Sequence, residues 1–316
     1  MKELTVGKND AGQRLDKFLS KAYPALPPSL MYKYIRTKRI KRAGARTAAE
    51  YRLCEGDVLQ LYINDELLEG REEDKAVKSL SPRLAVVYED ANILIADKPA
   101  GMLVHSDDAE SYNTLINHIK AYLFQKGEYD PENERSFAPA LCNRIDRNTA
   151  GLCVAAKNAE ALREMNEIIK GRLMKKSYLA LVTGCPNPSS ATLTAYLSRD
   201  MEEKRVSVFD RPGKDRLQII TKYRTLHCKD SVSLLEIDLV TGRTHQIRAH
   251  MAHIGHPLVG DGKYGKTGSK GATGQALCAR RLRFELEDFR GILSYLDKKE
   301  FFSSQTKIFD DFLQNP

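Results

Sequence analysis

The strongest limit on the fold of this chain is the grouping of its apolar residues between Leu84 and Val240. Short apolar runs alternate there with turn residues, and two longer segments carry apolar residues at helical spacing. The predicted strands are 84–88, 93–96, 175–182 and several between 192 and 240, and the predicted helices are 114–124 and 158–170. Strands and helices do not alternate regularly, so a Rossmann-like fold is not expected. The pattern indicates an α+β domain with a mixed, mainly antiparallel sheet.

Residues 1–63 are expected to form a separate, small α/β domain. A predicted helix over 13–23 carries Leu15, Phe18 and Leu19 on one face. Prolines then break the chain, and Ser29 is suited to cap a second helix that ends near Arg36. A turn and a strand at 58–63 complete the predicted domain.

One stretch of this small domain is basic throughout. Between Lys17 and Ala49 the sequence has no Asp or Glu. Such a stretch can be a solvated surface, but it is also suited to neutralise nucleic-acid phosphates, because each Lys or Arg contact releases a counterion. The candidate phosphate-binding residues are Lys33, Arg36, Lys38, Arg39, Lys41 and Arg42.

An acidic segment, 64–82, separates this domain from the rest of the chain. Its acidic residues are Asp65, Glu66, Glu69, Glu72, Glu73 and Asp74. The change of composition and the scarcity of large apolar residues are typical of a linker. The predicted organisation is therefore a small domain at 1–63, a linker at 64–82 and a large domain at 83–316.

The charge balance and the cysteines restrict the class of protein. A formal charge of +8 and a pI near 9.0 favour a polyanionic partner. No apolar run is long enough to span a bilayer, and charged residues crowd the N-terminus, so neither a membrane protein nor a secreted one is expected. The six cysteines are scattered without a Cys-x-x-Cys pair, which favours reduced thiols in the cytoplasm.

The first candidate site lies in the polar loop around Asp146. This carboxylate stands between Arg144 and Arg147, and the cations favour its ionised form. A Gly and a run of small and apolar residues follow, which predicts a buried strand. A positioned carboxylate can act as a nucleophile, a base or an electrostatic stabiliser. The alternative is a loop aspartate whose ion pairs only stabilise a turn.

The second candidate site is the stretch 239–257, which holds four of the seven histidines. The histidines at 245, 250, 253 and 256 lack the spacing of a helical metal site, and no Cys lies nearby, so a metal is not expected. The pattern predicts a helix from Thr244 to His253, capped by Thr244 and ended by Gly255.

Both stretches resemble motifs of the RluA-type pseudouridine synthases. The catalytic motif of that family is usually written His-Arg-Leu-Asp-x-x-Thr-Ser-Gly-Leu. The matching residues here are Arg144, Asp146, Thr149, Gly151 and Leu152, and the departures are Asn143, Ile145 and Ala150. The run Gly242-Arg243-Thr244-His245-Gln246-Ile247-Arg248 and the later Gly255-His256-Pro257 match a second family motif. Residues 98–105 and 260–265 resemble two further family segments.

The resemblance implies roles for individual residues. Asp146 would be the catalytic nucleophile or base, and Arg243 would pair with it. Tyr178, on a predicted strand, would stack on the target base, and Leu277 would form an apolar wall of the pocket, with Cys278 in place of a family His. Arg144, Arg147 and His245 would bind the substrate. Without the resemblance, Tyr178 reads as a core aromatic.

The N-terminal domain is similar to the S-four type of RNA-binding module. The matching residues are Arg14-Leu15-Asp16-Lys17-Phe18-Leu19, Tyr34-Ile35-Arg36 and Glu55-Gly56-Asp57-Val58. The six basic residues at 33–42 would then contact RNA.

The resemblance therefore implies an enzyme that isomerises uridine in RNA without a cofactor or metal. Large-subunit ribosomal RNA, of the 23S type, is the expected substrate, with transfer RNA as the alternative. A cytoplasmic monomer is expected. Two rivals are a non-catalytic RNA-binding or ribosome-assembly protein and a hydrolytic N-glycosidase. Asp146 together with Arg243 disfavours the first, and the lack of a second acidic residue in either catalytic motif disfavours the second.

Overall fold

The computed structural model describes residues 1–68, 77–107, 110–131, 134, 136–200, 205–265 and 274–314. These residues form two compact units. The first comprises 1–83, 116–140 and 156–163, and the second comprises 84–115, 141–155 and 164–316.

The first unit contains a four-stranded antiparallel sheet and two helices. Its elements are β1 (Lys2–Thr5), α1 (Leu15–Ala22), α2 (Pro28–Arg36), β2 (Ile40–Arg42), β3 (Ala45–Arg46) and β4 (Val58–Leu61). The strand order is β1-β4-β2-β3. Leu15, Phe18 and Leu19 are fully buried, because the 3–4 residue spacing places them on one face of α1. Both predicted helices are thus present.

Later segments of the chain complete this unit. Helix α3 (Leu115–Gln125) and the start of α4 (Ala159–Lys170) belong largely to it. Asn9 Nδ2 donates to Glu134 Oε2 at 2.8 Å, and Asn9 Oδ1 accepts the backbone N–H of Ala159 at 3.2 Å. The sequence-derived domain boundaries did not include these segments, because contacts across more than 100 residues leave no local pattern.

The predicted linker is only partly described. Asp65–Leu68 forms a 3-10 turn in which Leu68 is buried. The acidic residues Glu69, Glu72, Glu73 and Asp74 lie outside the described residues.

The second unit is organised around one mixed sheet. Its strands are β5 (Val86–Glu89), β6 (Ile93–Lys98), β7 (Ala140–Leu141), β8 (Ala150–Ala156), β9 (Met174–Thr183), β10 (Ser190–Asp200), β11 (Arg205–Phe209), β12 (Leu217–Lys229), β13 (Val232–Leu239), β14 (Leu277–Phe284) and β15 (Glu300–Phe302). The order is β11-β10-β12-β13-β9-β14-β8-β6-β5, with β15 beside β14 and β7 beside β8. The pair β8–β14 is parallel, whereas β14–β9, β9–β13, β13–β12, β12–β10 and β10–β11 are antiparallel. The prediction of a mixed, mainly antiparallel sheet is confirmed.

The helix predicted over 158–170 ends where expected, whereas the predicted cap of α5 is wrong. Asn158 caps α4, since its Oδ1 accepts the N–H of Ala161 at 2.8 Å. Helix α4 ends at Lys170, and Arg172 is the left-handed residue after it, with a φ of 59°. Helix α5 (Gln246–His253) is not capped by Thr244. Its preceding residue, His245, is left-handed with a φ of 52°.

The cysteines also correct an expectation. Cys185 and Cys228 are joined by a disulfide with a Cα–Cα distance of 6.0 Å, whereas reduced thiols were predicted. Cys228 lies on β12 and Cys185 follows β9, and both strands flank β13. Their ends are therefore neighbours across Val232, which pairs with Thr183 and Lys229. A separation of 43 residues gives no sign of this.

Helix α6 (Lys307–Gln314) ends the described chain and buries Phe309. No described helix combines the length and apolar character needed to cross a bilayer.

Candidate active site

Asp146 lies in the loop between β7 and β8, and hydrogen bonds hold this loop at its start and in its middle. At its start, Asn143 Oδ1 accepts the N–H of Val154 at 2.8 Å, and Asn143 Nδ2 donates to Leu152 O at 3.3 Å. In its middle, the carbonyl of Asp146 accepts the N–H of Thr149 at 3.0 Å. Asn143, which stands where the family usually has His, thus ties the loop to β8.

Gly151 is required where the loop enters β8. It has a φ of 113°, and a Cβ added there would lie 2.4 Å from the carbonyl oxygen of Ala279 on β14. Such a distance is far inside van der Waals contact, so any side chain would separate β8 from β14. This close approach explains the glycine in the motif and brings the Asp146 loop beside Leu277.

Arg248 is the cation that holds Asp146. Its Nη1 donates to Asp146 Oδ2 at 2.9 Å, while Nε and Nη2 donate to the two oxygens of Asp261 at 2.8 and 2.9 Å. Arg248 and Asp261 are both buried. One guanidinium therefore fixes a carboxylate in the loop and a second carboxylate behind it.

The prediction that Arg243 pairs with Asp146 is wrong in this structure. Arg243 precedes α5 and its side chain is exposed, whereas Arg248 lies in the first turn of the helix on the buried side. The two arginines lie in one motif, and only the start of the helix at Gln246 decides which of them faces the loop. Asp261, in a segment noted from the sequence, had been given no role.

The buried ion pair shifts the pKa of both partners. Burial alone would raise the pKa of Asp261, but the hydrogen bonds and charge of Arg248 outweigh burial and hold it below its ordinary value. Burial would likewise lower the pKa of Arg248, yet its bonds to Asp261 and Asp146 raise it. The Arg248–Asp261 pair is thus fully charged at neutral pH.

His245 forms the edge of the site. Its Nδ1 is 2.9 Å from the hydroxyl of Tyr264, and its Nε2 is 3.8 Å from Asp146 Oδ2. Burial lowers its pKa even though Asp146 acts in the opposite direction. The ring is therefore neutral at physiological pH and can offer a hydrogen bond at this edge.

A cavity of about 280 Å³ lies over these groups. Asp146 and Arg248 line it together with Tyr178 from β9 and Leu277 from β14, which run side by side. Tyr178 is buried, and burial raises its pKa. A carboxylate is thus presented next to an aromatic ring and an aliphatic wall, which suits a flat, uncharged base.

Most of the residues predicted for the site line this cavity. They are Arg144, Asp146, Tyr178, Arg243, His245 and Leu277. Arg147 does not line it, and its Nε donates instead to the carbonyl of Gly101 at 3.3 Å. Among the described residues no group of three or more His, Cys, Asp or Glu is placed to hold a metal ion.

A buried lysine for which no role was predicted, Lys98, holds the Asp146 loop in place. The Nζ of Lys98 donates to the carbonyls of Pro99, Met102 and Arg147 at 3.0, 2.8 and 2.9 Å. These three bonds match the three N–H groups of an ammonium. The side chain is fully buried, and burial lowers its pKa to about 8.

Lys98→Met should therefore destabilise the protein. The variant keeps the apolar stem but leaves the carbonyls of Pro99 and Met102 without their donor, and it removes one of the two donors to the carbonyl of Arg147. We therefore expect a loss of about 3 kcal/mol in the free energy of unfolding. Urea unfolding measures it. Lys175→Met is the control, because Lys175 is exposed and pairs with Glu285 at the surface. Equal losses in the two variants would contradict the fastening role.

The chain is similar to known proteins of one family. Residues 92–253 match the family model described as RNA pseudouridylate synthase. The chain is 31% identical over 277 residues to ribosomal large subunit pseudouridine synthase C of Vibrio parahaemolyticus, covering 85% of this chain and 82% of that protein. It is 30% identical over 275 residues to ribosomal large subunit pseudouridine synthase D of Nitrosomonas europaea, covering 87% and 75%.

A solved structure shares the fold. Human RNA pseudouridylate synthase domain containing 4 superposes with a TM-score of 0.57 at 20% identity, over 77% of this chain and 95% of that one. The present chain belongs to the RNA pseudouridylate synthase family, in its RluA-type branch. It is an RNA pseudouridine synthase, and hence an isomerase.

Proposed function

We propose that this enzyme isomerises one or a few uridines of large-subunit ribosomal RNA in the cytoplasm, as a monomer, with Asp146 as its nucleophile or base. The observation that carries the mechanism is the contact of Asp146 with Arg248, which is itself held by buried Asp261. The names of the two bacterial relatives support the choice of RNA. Transfer RNA is the alternative substrate.

The reaction exchanges one bond of the uracil ring for another. The bond from N1 to the sugar C1′ breaks, the base turns, and a bond from C5 to C1′ forms. N1 gains a proton and C5 loses one, so atoms and electrons balance without a redox partner. Asp146 either attacks C1′ or removes a ribose proton in the first step. Arg248 keeps it oriented, and Tyr178 and Leu277 confine the base while it turns.

Entry of the base requires its removal from the RNA stack, which costs a few kcal/mol. Contacts to the phosphates can offset this cost, and the basic residues of the first unit are suited to make them. Lys33, Arg36 and Lys38 are exposed, and Arg39 and Lys41 lie over the rings of Tyr34 and Tyr62. Arg42 is partly engaged, because it pairs with Asp57 at 3.1 Å.

Replacing Lys33, Arg36 and Lys38 together by Gln should weaken RNA binding and reduce its salt dependence. Each lost phosphate contact lowers the slope of log K against log salt by roughly 0.7–0.9, so up to about 2–3 slope units are at stake. Filter binding at several KCl concentrations measures the slope. An unchanged slope would mean that this surface does not touch phosphate. Substitution is preferable to truncation, because residues 116–140 and 156–163 belong to the same compact unit.

Pseudouridine mapping in a strain that lacks the gene tests the proposed substrate. We expect one or a few sites to disappear from large-subunit ribosomal RNA and to return when the wild-type gene is restored. If sites disappear only from transfer RNA, transfer RNA is the substrate. If no site disappears from any RNA while the wild-type strain expresses the protein, the proposal is wrong.

A further inference from the structure

A second cleft adjoins the cavity of Asp146. It has a volume of about 620 Å³ and shares Ile169, Lys176, Leu239, Gly242 and Arg243 with that cavity. Among the described residues, eight Lys or Arg line this cleft, against two carboxylates. We call it the basic cleft. Binding of an uncharged base in the neighbouring cavity does not require so many cations.

The two carboxylates of the basic cleft are already engaged. Glu285 pairs with Lys175 at 3.2 Å and with Arg283 at 3.6 Å. Asp238 Oδ1 accepts the hydroxyl of Ser177. Within the part of the chain that the structure describes, the side chains of Lys176 and Arg243 make no ion pair and no hydrogen bond. These two cations are therefore available to an external anion.

Lys176 and Arg243 stand together at the junction of the two spaces. Both line the cavity and the basic cleft. A Cβ added to Gly242 would lie 3.5 Å from Lys176 Nζ, which places the ammonium against the backbone next to Arg243. Lys176 is half-buried, and burial lowers its pKa. A half-buried ammonium without a carboxylate partner gains more free energy by binding an anion than a fully solvated ammonium does.

A nucleotide whose base fills the cavity must carry its phosphates at the cavity mouth. We propose that Lys176 and Arg243 jointly bind one backbone phosphate next to the flipped uridine, and that the basic cleft receives the RNA strand that continues from it. This inference rests on the proposed function. Lys176 supplies a point charge and Arg243 a planar fork, and both geometries suit a phosphate. Arg243 thus acts on the RNA backbone rather than on Asp146.

The test measures binding of a ten-nucleotide oligouridylate, rU10, as a function of KCl. The proteins are wild type, Lys176→Gln, Arg243→Gln and the double variant, all full length. We expect each single variant to bind about tenfold more weakly. The double variant should lower the salt slope by about 0.7, the value for one phosphate on a single strand, because the two cations share that phosphate. Lys176→Arg should regain most of the affinity.

Lys307→Gln is the matched control, since Lys307 is exposed on α6 and lines neither space. It should bind rU10 as wild type does. Thermal unfolding confirms that each variant is folded. An unchanged slope in the double variant would overturn the inference, and a fall of about 1.4 would show two separate phosphates and overturn the shared site.

Activity separates this inference from the proposed function. With ribosomal RNA from the gene-deletion strain, the double variant should raise KM by at least about tenfold and change kcat much less, as expected for lost ground-state binding. If wild type forms pseudouridine and the double variant has the wild-type KM, only the phosphate site is wrong. If wild type forms none, the proposed function fails, while rU10 binding still decides the phosphate site.

Discussion

Asp146→Asn should abolish pseudouridine formation while the protein remains folded and still binds RNA. The amide has the shape of the carboxylate but no charge, so it can neither attack C1′ nor take a proton. Removal of an essential nucleophile or base lowers turnover by at least about 10⁴-fold. Arg248 keeps its two bonds to Asp261 in the variant, so the buried Arg248–Asp261 ion pair remains intact.

Asp210→Asn is the matched control for this experiment. Asp210 is an exposed carboxylate whose Oδ1 lies 2.7 Å from Nε2 of His253 at the surface. The control should isomerise RNA at the wild-type rate. Turnover near wild type in Asp146→Asn would remove Asp146 from its role, even if the contact with Arg248 is correct.

Arg248→Lys should damage both stability and activity. A lysine ammonium can reach one carboxylate but cannot reproduce three directed bonds to Asp146 and Asp261. Leaving buried Asp261 without its partner should cost about 3 kcal/mol in the free energy of unfolding. Loss of the orientation of Asp146 should lower kcat by at least about 100-fold, because small misplacements of a reacting group have effects of this size.

Arg224→Lys provides the comparison. Arg224 pairs with Glu236 at 2.9 Å, but the arginine side chain is 66% exposed, so the change should alter stability by less than about 1 kcal/mol and leave activity intact. Urea unfolding and single-turnover kinetics measure the two effects. Equal behaviour of the two variants would contradict the orienting role of Arg248. Arg243→Lys should differ from both variants. Arg243 is proposed to bind an RNA phosphate, so its substitution should change mainly KM.

The sequence was sufficient for those parts of the molecule that are determined locally. Helical spacing placed α1 and α4, and short apolar runs placed β6 and β9. The motifs placed Asp146, Tyr178 and Leu277, and the structure brings all three to one cavity. Each of these depends on residues within a few positions of one another.

What the sequence could not provide depends on three-dimensional proximity. Arg243 and Arg248 are equally plausible partners for Asp146 until the helix begins at Gln246 and turns only Arg248 inward. The anchoring of the Asp146 loop by Lys98 crosses 49 residues. Whether Lys176 has an ion-pair partner depends on which cations pair with Glu285, and in the structure these are Lys175 and Arg283. No pattern of residue types encodes such pairings.

The most direct test of the account is release of tritium from RNA labelled at C5 of uracil. Forming the bond from C5 to C1′ expels the hydrogen on C5, so each isomerisation releases one tritium to water. The purified full-length protein, given large-subunit RNA from the gene-deletion strain, should release tritium in step with the pseudouridine formed, and Asp146→Asn should release none. Tight binding of this RNA without tritium release by the wild-type protein would contradict the account.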